Sequence, residues 1–241
     1  MSKILTFEYD GAPQRSPQWL ERKRGKIGSS RLADWLSVSK AKGKEGTPLK
    51  ARLDYEKELM FERQFNTNFQ IWVSEAMQEG IDLEDYARKQ YQQIANHDLP
   101  VDECGCWYNE FFVASPDRTV GDDGLLEIKI LKDNSFTEVL MSGVPDKHWK
   151  QIQGQLWASG RKWCDYVAVN LNSRKVVIIR VLPDTEFHEY LNEAVQEQLV
   201  TEPFALDNVH DLVGEIPQGL VFEAAKIDQS DNNLSSGGDW A

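Results

Sequence analysis

The chain of 241 residues carries 27 Lys and Arg against 39 Asp and Glu, a formal net charge of −12, and 41% of its residues are apolar. A length of this order suits one sizeable domain, and no apolar run approaches the ~20 residues that span a bilayer. The start MSKILTFEYD lacks the apolar stretch of a secretory signal, and three cysteines make no secreted disulfide framework, so a reduced, cytoplasmic, membrane-free protein is expected.

The acidic balance does not exclude nucleic acid, because the charge is unevenly spread. Residues 182–241 hold thirteen Asp/Glu and one basic residue, Lys226, whereas residues 1–60 hold 13 Lys/Arg against 8 Asp/Glu. Phosphate docks where the local potential allows, not where the average pI does.

Residues 16–37 predict two short helices, SPQWLERKRG and SSRLADWL, each opened by a serine and the first with Pro17 at its start. They gather Arg22, Lys23, Arg24, Lys26 and Arg31 with the hydroxyls of Ser29 and Ser30. Open N–H groups at the second helix start would add to an anion site; a solvated basic face is the plainer alternative.

A basic loop with two glycines follows over 38–47. Thr47-Pro48 then predicts a helix to about Arg63, with Leu49, Leu53 and Met60 in its buried stripe. After a break at Asn66–Asn68, a second helical stretch runs from Phe69 to about Asn96, interrupted or tightened near Gly80. On it, Glu84 and Arg88 are four apart, which by spacing alone describes a surface ion pair.

Glu110–Ala114 is an apolar run that delivers Pro116-Asp117. The turn Val120–Gly124 contains an Asp-Gly hairpin signal, and Leu125–Ile130 alternates, with Leu126, Ile128 and Ile130 on one face and Glu127 and Lys129 on the other. A hairpin here sets Asp117 beside Glu127, with Lys129 one pleat further along. Two carboxylates on one side of a sheet suit a hard cation, Mg²⁺ or Mn²⁺, and the Ile128 carbonyl between them offers another oxygen. Taken alone, the pattern also describes an ordinary solvated hairpin face.

Residues 135–143 and 145–159 read as helices, the latter placing Gln151 and Gln155 on one face and Gln153 elsewhere. Strands over Asp165–Asn170 and Lys175–Leu182 follow, then an acidic amphipathic helix over Asp184–Leu199. Residues 227–241 are too polar to bury a core and are expected to be a disordered tail behind a single domain over 1–226. The order of elements predicts an α/β (α+β) fold, a mixed central β-sheet flanked by helices.

Five separated elements, taken together, carry a resemblance. They are Trp19 with the basic residues after it, Gly25 and Ile27-Gly28-Ser29-Ser30; Gly80 with Glu84 four residues on; Ser115-Pro116-Asp117; Glu127-Ile128-Lys129; and Gln151 with Gln153. In this order, over roughly residues 14–200, they resemble the lambda-exonuclease-like group, the YqaJ-like viral recombinases, within the PD-(D/E)xK nucleases.

The resemblance implies a restriction-endonuclease-like core and a Mg²⁺-dependent exonuclease, with Mn²⁺ as a substitute and two ions per site. Such an enzyme degrades one strand of double-stranded DNA from its 5′ end, releases 5′-mononucleotides and leaves a 3′ single-stranded overhang for recombination by strand annealing. It implies Asp117, Glu127 and Glu84 as the carboxylates of the metal site and Lys129 as the lysine that positions the water. Ser30, Ser115 and Gln153, with one of Arg22, Lys23 and Arg24, would hold the terminal 5′-phosphate, and Gln151 would help orient the scissile region.

Met77 stands where the family places an apolar wedge that parts the strands, although core filling is the plainer role. The resemblance further implies a ring-shaped homotrimer, a single-strand annealing protein as partner, and the cytoplasm of a bacterial host. Two positions depart from the pattern: Lys23 stands where an arginine is usual, and Arg118 where a glycine follows Pro-Asp. Two alternatives stay open on the sequence, a sequence-specific endonuclease of the same core and a non-catalytic DNA-end-binding protein.

Overall fold

The structure, a computed structural model, describes residues 4–69, 75–95 and 98–201, the side chains of 75–82 and 198–201 excepted. The predicted domain limit at residue 226 and the predicted tail over 227–241 therefore lie outside the described residues. The elements in chain order are β1 (Glu8–Asp10), α1 (Pro17–Lys23), β2 (Ile27–Gly28), α2 (Leu32–Trp35), α3 (Lys50–Phe65), α4 (Glu75–Ala95), β3 (Val101–Glu103), β4 (Cys106–Tyr108) and β5 (Phe112–Ala114). They continue with β6 (Arg118–Val120), β7 (Gly124–Leu131), α5 (Asp133–Ser142), α6 (Asp146–Ser159), β8 (Trp163–Asn170), β9 (Val176–Val181) and α7 (Thr185–Thr201).

Five strands form one sheet in the order β3-β6-β7-β8-β9, and four form another in the order β1-β4-β5-β2. Within the first, β7 and β8 run parallel and the other pairs antiparallel, so α5 and α6 are the crossover that a parallel pair requires. Both faces of this sheet are covered, which is why β7 and β8 are almost continuously apolar. On one face Leu125, Tyr166 and Ala168 meet Ile152 and Leu156 of α6; on the other Leu126, Ile128, Val167 and Val169 meet Ala87 and Tyr91 of α4. Asp165 is one of the buried polar exceptions, and it is compensated: Tyr91 donates to it at 2.7 Å and Arg180 forks onto both oxygens at 2.8 and 2.9 Å.

Helix α6 lies between the two sheets. Its Gly154 packs closely, since a Cβ there would sit 3.0 Å from both Leu32 of α2 and Phe112 of β5. This seats α6 against β5 while its Gln151 and Gln155 reach toward β7.

Most expected elements form; β1, β3, β4 and the separate four-stranded sheet have no counterpart among them, and three expected elements differ in detail. The first helix is capped as its sequence predicts, Ser16 accepting the Trp19 N–H at 3.2 Å. The second predicted helix is not opened by serine. Ile27-Gly28 pairs in parallel with Phe112-Val113, and the Tyr55 hydroxyl accepts the Gly28 N–H at 2.9 Å, so the chain passes through a 3₁₀ turn at Ser29–Arg31 into the four-residue α2.

The second difference concerns α3, which starts at Lys50 because Pro48 is held in a bridge to Val38. Its buried residues are Tyr55 and Leu59, while Leu49 and Leu53 are 46% and 38% exposed. The third is that α4 runs unbroken through Gly80. All three cysteines are buried and free, and among the described residues no helix is long and apolar enough to cross a membrane.

Candidate active site

The β6–β7 hairpin forms where the Asp-Gly signal places it, with Arg118 opposite Leu126 and Val120 opposite Gly124. The apolar run before it is not part of the hairpin: Phe112–Ala114 joins the other sheet as β5, and Ser115-Pro116 is the crossing between the two sheets. Extending the register one residue past β6 brings Asp117 opposite Glu127. At that point the side chain takes over from the backbone, and Asp117 Oδ2 accepts the Ile128 N–H at 2.6 Å. In an extended strand the N–H and C=O of one residue point to the same edge, so the Ile128 carbonyl also faces the edge that Asp117 occupies.

Glu127 points to the opposite face of β7 from Ile128, under α6, and is 1% exposed. A buried carboxylate needs donors, and it has three. Lys129 Nζ and Gln151 Nε2 donate to Oε1 at 2.5 and 2.6 Å, and Gln155 Nε2 donates to Oε2 at 2.7 Å. Burial by itself disfavours the Lys129 ammonium, yet the Glu127 and Asp117 carboxylates outweigh it and hold Lys129 above the ordinary lysine value. The Asp117 pKa rises too, but here against the charged form: burial first, then the Glu127 charge, push its carboxyl up to about 8.

Glu84 does not pair with Arg88, which instead donates to Asp85 and Gln92, both at 2.7 Å. It faces the hairpin, where Arg118 Nη1 lies 2.6 Å from its Oε1; the same nitrogen donates to the Asp117 carbonyl at 2.6 Å. Glu84 and Arg118 line a cleft of about 260 Å³ together with Gln14 and Arg15.

Asp117, Glu127 and the Ile128 carbonyl are hard oxygen donors, and the raised Asp117 pKa marks two carboxylates crowded beside one ammonium, a crowding that a bound dication would relieve. That donor set fits Mg²⁺ or Mn²⁺. Among the described residues no group of three or more His, Cys, Asp and Glu side chains comes together as a metal site, consistent with Glu84 being held on Arg118.

The residues predicted for the 5′-phosphate divide into two groups. Lys23 lies over the Trp19 ring at 4.1 Å and lines a cleft of about 430 Å³ with Lys26, Ser30 and Arg31; burial lowers the pKa of Lys23. The others are engaged within the fold. Arg22 pairs with Asp10 at 2.7 Å, and Arg24 donates to Asn66 at 2.8 Å. Ser115 donates to the Gly105 carbonyl and accepts from Trp19 Nε1, both at 2.9 Å. Gln153 donates to the Leu182 carbonyl and accepts the Asp184 N–H, both at 2.9 Å, which ties α6 to the start of α7. Met77 lies in α4, with its side chain outside the described residues.

Two residues of the site do not stand out in the sequence. Gln155 was discernible as the second member of an i,i+4 pair of amides on one helix face, but nothing local says that the face covers an acid. Arg118 gives no local sign that it reaches a glutamate 34 positions earlier.

A family model, the YqaJ-like viral recombinase domain, matches residues 18–162. No curated protein sequence matches the chain. Among solved structures, an alkaline exonuclease (LHK-Exo) from Laribacter hongkongensis superposes with a TM-score of 0.66 at 29% identity, covering 82% of this chain and 99% of that one. The same enzyme in complex with dAMP gives 0.65 at 29% identity, covering 82% and 97%. A phage related exonuclease from Haemophilus somnus 129PT gives 0.55 at 16% identity, covering 76% and 98%, a likeness of fold.

Proposed function

The chain belongs to the YqaJ-like viral recombinase domain family, and from that premise we propose that it is a divalent-metal-dependent exonuclease that degrades double-stranded DNA from 5′ ends. The observation that carries the reading is the convergence of Asp117, Glu127 and Lys129 on neighbouring strands, with Asp117 fixed at the strand edge by the Ile128 N–H. The structures it resembles support the same class, since one is named an alkaline exonuclease and was captured with dAMP, a 5′-mononucleotide.

In this reading Asp117, Glu127 and the Ile128 carbonyl hold Mg²⁺, with Mn²⁺ as a substitute. When bound, such an ion polarises a phosphoryl oxygen and lowers the pKa of water. The chain's own groups do the rest. Lys129 keeps its proton on Nζ, so it serves as a donor that orients water or neutralises charge on the phosphate, rather than as a base. Gln151 and Gln155 fix the plane of the Glu127 carboxylate before substrate arrives. A second ion of the kind the family resemblance implies would require Glu84, which Arg118 engages.

Lys23 and Ser30 are the proposed holders of the terminal 5′-phosphate, in the cleft they line with Lys26, Arg31, Glu58 and Glu62. Arg22, Arg24, Ser115 and Gln153 are instead held by partners within the chain. A homotrimeric ring, an annealing partner for the exposed 3′ strand and a location in the bacterial cytoplasm belong to the same proposal and rest on the family likeness. The test is a linear duplex with one phosphorylated and one protected 5′ end, incubated with and without Mg²⁺, its products sized over time. Mononucleotides released from the phosphorylated end only, and only with Mg²⁺, are expected; equal loss from both ends or loss in EDTA refutes the reading.

A further inference from the structure

We infer that the Arg118 guanidinium stands in for a second divalent ion, so that the site takes one ion, at Asp117 and Glu127, and Glu84 is the seat of the arginine. The inference rests on the metal-nuclease reading above and concerns what this chain's own residues allow beside that ion.

Arg118 is fixed at both ends. Its backbone is locked into the hairpin ladder opposite Leu126, next to the ligand Asp117. Its Nη1 is 2.6 Å from Glu84 Oε1 and 2.6 Å from the Asp117 carbonyl, so one group bridges α4 and the turn into β6. The side chains of Arg118 and Glu84 are 15% and 25% exposed. The other carboxylate within range, Glu103, is 4.0 Å from Nη2 and 86% exposed, so Glu84 is the acceptor that matters.

A guanidinium does not lose its proton at any ordinary pH, and its fixed fork suits both a carboxylate and a phosphate. A divalent cation placed against Glu84 would have to evict Arg118 from its short bond or sit beside a like charge in a partly buried site. The arginine also supplies what a second ion would. It cancels the Glu84 charge, and with Arg15 it puts two guanidinium groups on the cleft of about 260 Å³ that Glu84 and Gln14 also line, where a phosphodiester meets donors instead of a metal.

The test counts ions. Mn²⁺ is titrated into the full chain and the free ion is followed by its electron paramagnetic resonance signal. One Mn²⁺ per wild-type chain is expected, and Asp117→Asn should lose it. Arg118→Ala should take a second Mn²⁺, and Arg118→Ala combined with Glu84→Gln should return to one; circular dichroism confirms that each variant is folded, and Arg118→Gln replaces the alanine variant if that one does not fold. Two ions bound by the wild-type chain, or a single ion in the folded Arg118 variants, overturn the inference and leave the metal-nuclease reading standing. No Mn²⁺ bound by the wild-type chain, or an ion that survives Asp117→Asn, overturns both.

Discussion

Gln155 Nε2 donates to Glu127 Oε2 at 2.7 Å across the space between α6 and β7, while Gln151, one helical turn earlier, holds the other oxygen at 2.6 Å. The two amides clamp the carboxylate from one helix face. Gln155→Leu keeps the volume and removes one jaw of the clamp. A loss of roughly 10–100-fold in kcat with little change in KM is expected, the scale of groups that orient metal ligands. Steady-state kinetics on a linear duplex decide it; an unchanged kcat would mean that Glu127 needs no orienting.

His148 begins the same helix face, its Nδ1 2.8 Å from the Tyr166 hydroxyl. Burial, then the Lys129 and Lys147 charges, lower its pKa to about 4, against ~6.5 for a free imidazole. Between those values the unfolded chain binds the proton and the folded chain does not. The contribution of His148 to stability is therefore full above pH 6.5 and lost as pH falls toward 4. Melting temperatures of wild type and His148→Gln, measured from pH 7 to 4.5, should fall more steeply in the wild type. Parallel curves would clear the imidazole of any part in acid sensitivity.

Gly105 sits where β4 meets β1, and a Cβ there would lie 1.9 Å from the Asp10 carbonyl oxygen. Backbone cannot yield as a flexible side chain can, so Gly105→Ala should cost about 1–3 kcal/mol of unfolding free energy. Urea denaturation measures it. A variant as stable as the wild type would show that β1 and β4 can separate freely.

Lys23 and Ser115 are expected in the same role and both touch Trp19, but Lys23 lines the cleft while the Ser115 hydroxyl is engaged by Gly105 and Trp19, which separates them experimentally. Lys23→Gln should bring the ratio of rates on phosphorylated and dephosphorylated 5′ ends toward unity. Ser115→Ala should leave that ratio alone and cost roughly 1 kcal/mol of stability, because its hydroxyl serves Gly105 and Trp19. The opposite outcome would move the phosphate pocket to Ser115.

The hairpin bearing Asp117 and Glu127 is legible in the chain because an Asp-Gly turn and a two-residue alternation are local signals. So are the Ser16 cap, the Gln151/Gln155 face and the paired strands β8 and β9. What the sequence conceals is decided at long range. Ser115 reads as a free hydroxyl until the chain folds Trp19 and Gly105 onto it. Glu84 reads as a partner of Arg88, four residues away, until the hairpin delivers Arg118. The stripe of α3 is misread for the same reason: Leu49 and Leu53 have the right periodicity, but Tyr55 faces inward because its hydroxyl holds the Gly28 N–H.

The most direct test compares wild type, Asp117→Asn and Glu127→Gln for release of 5′-mononucleotides from a 5′-phosphorylated linear duplex, with and without Mg²⁺. Digestion only by the wild type and only with the metal, with both variants still shifting the duplex in a gel, is the predicted result. Near-wild-type digestion by either variant, or wild-type digestion that persists in EDTA, would contradict the claim that these two acids jointly hold the catalytic ion.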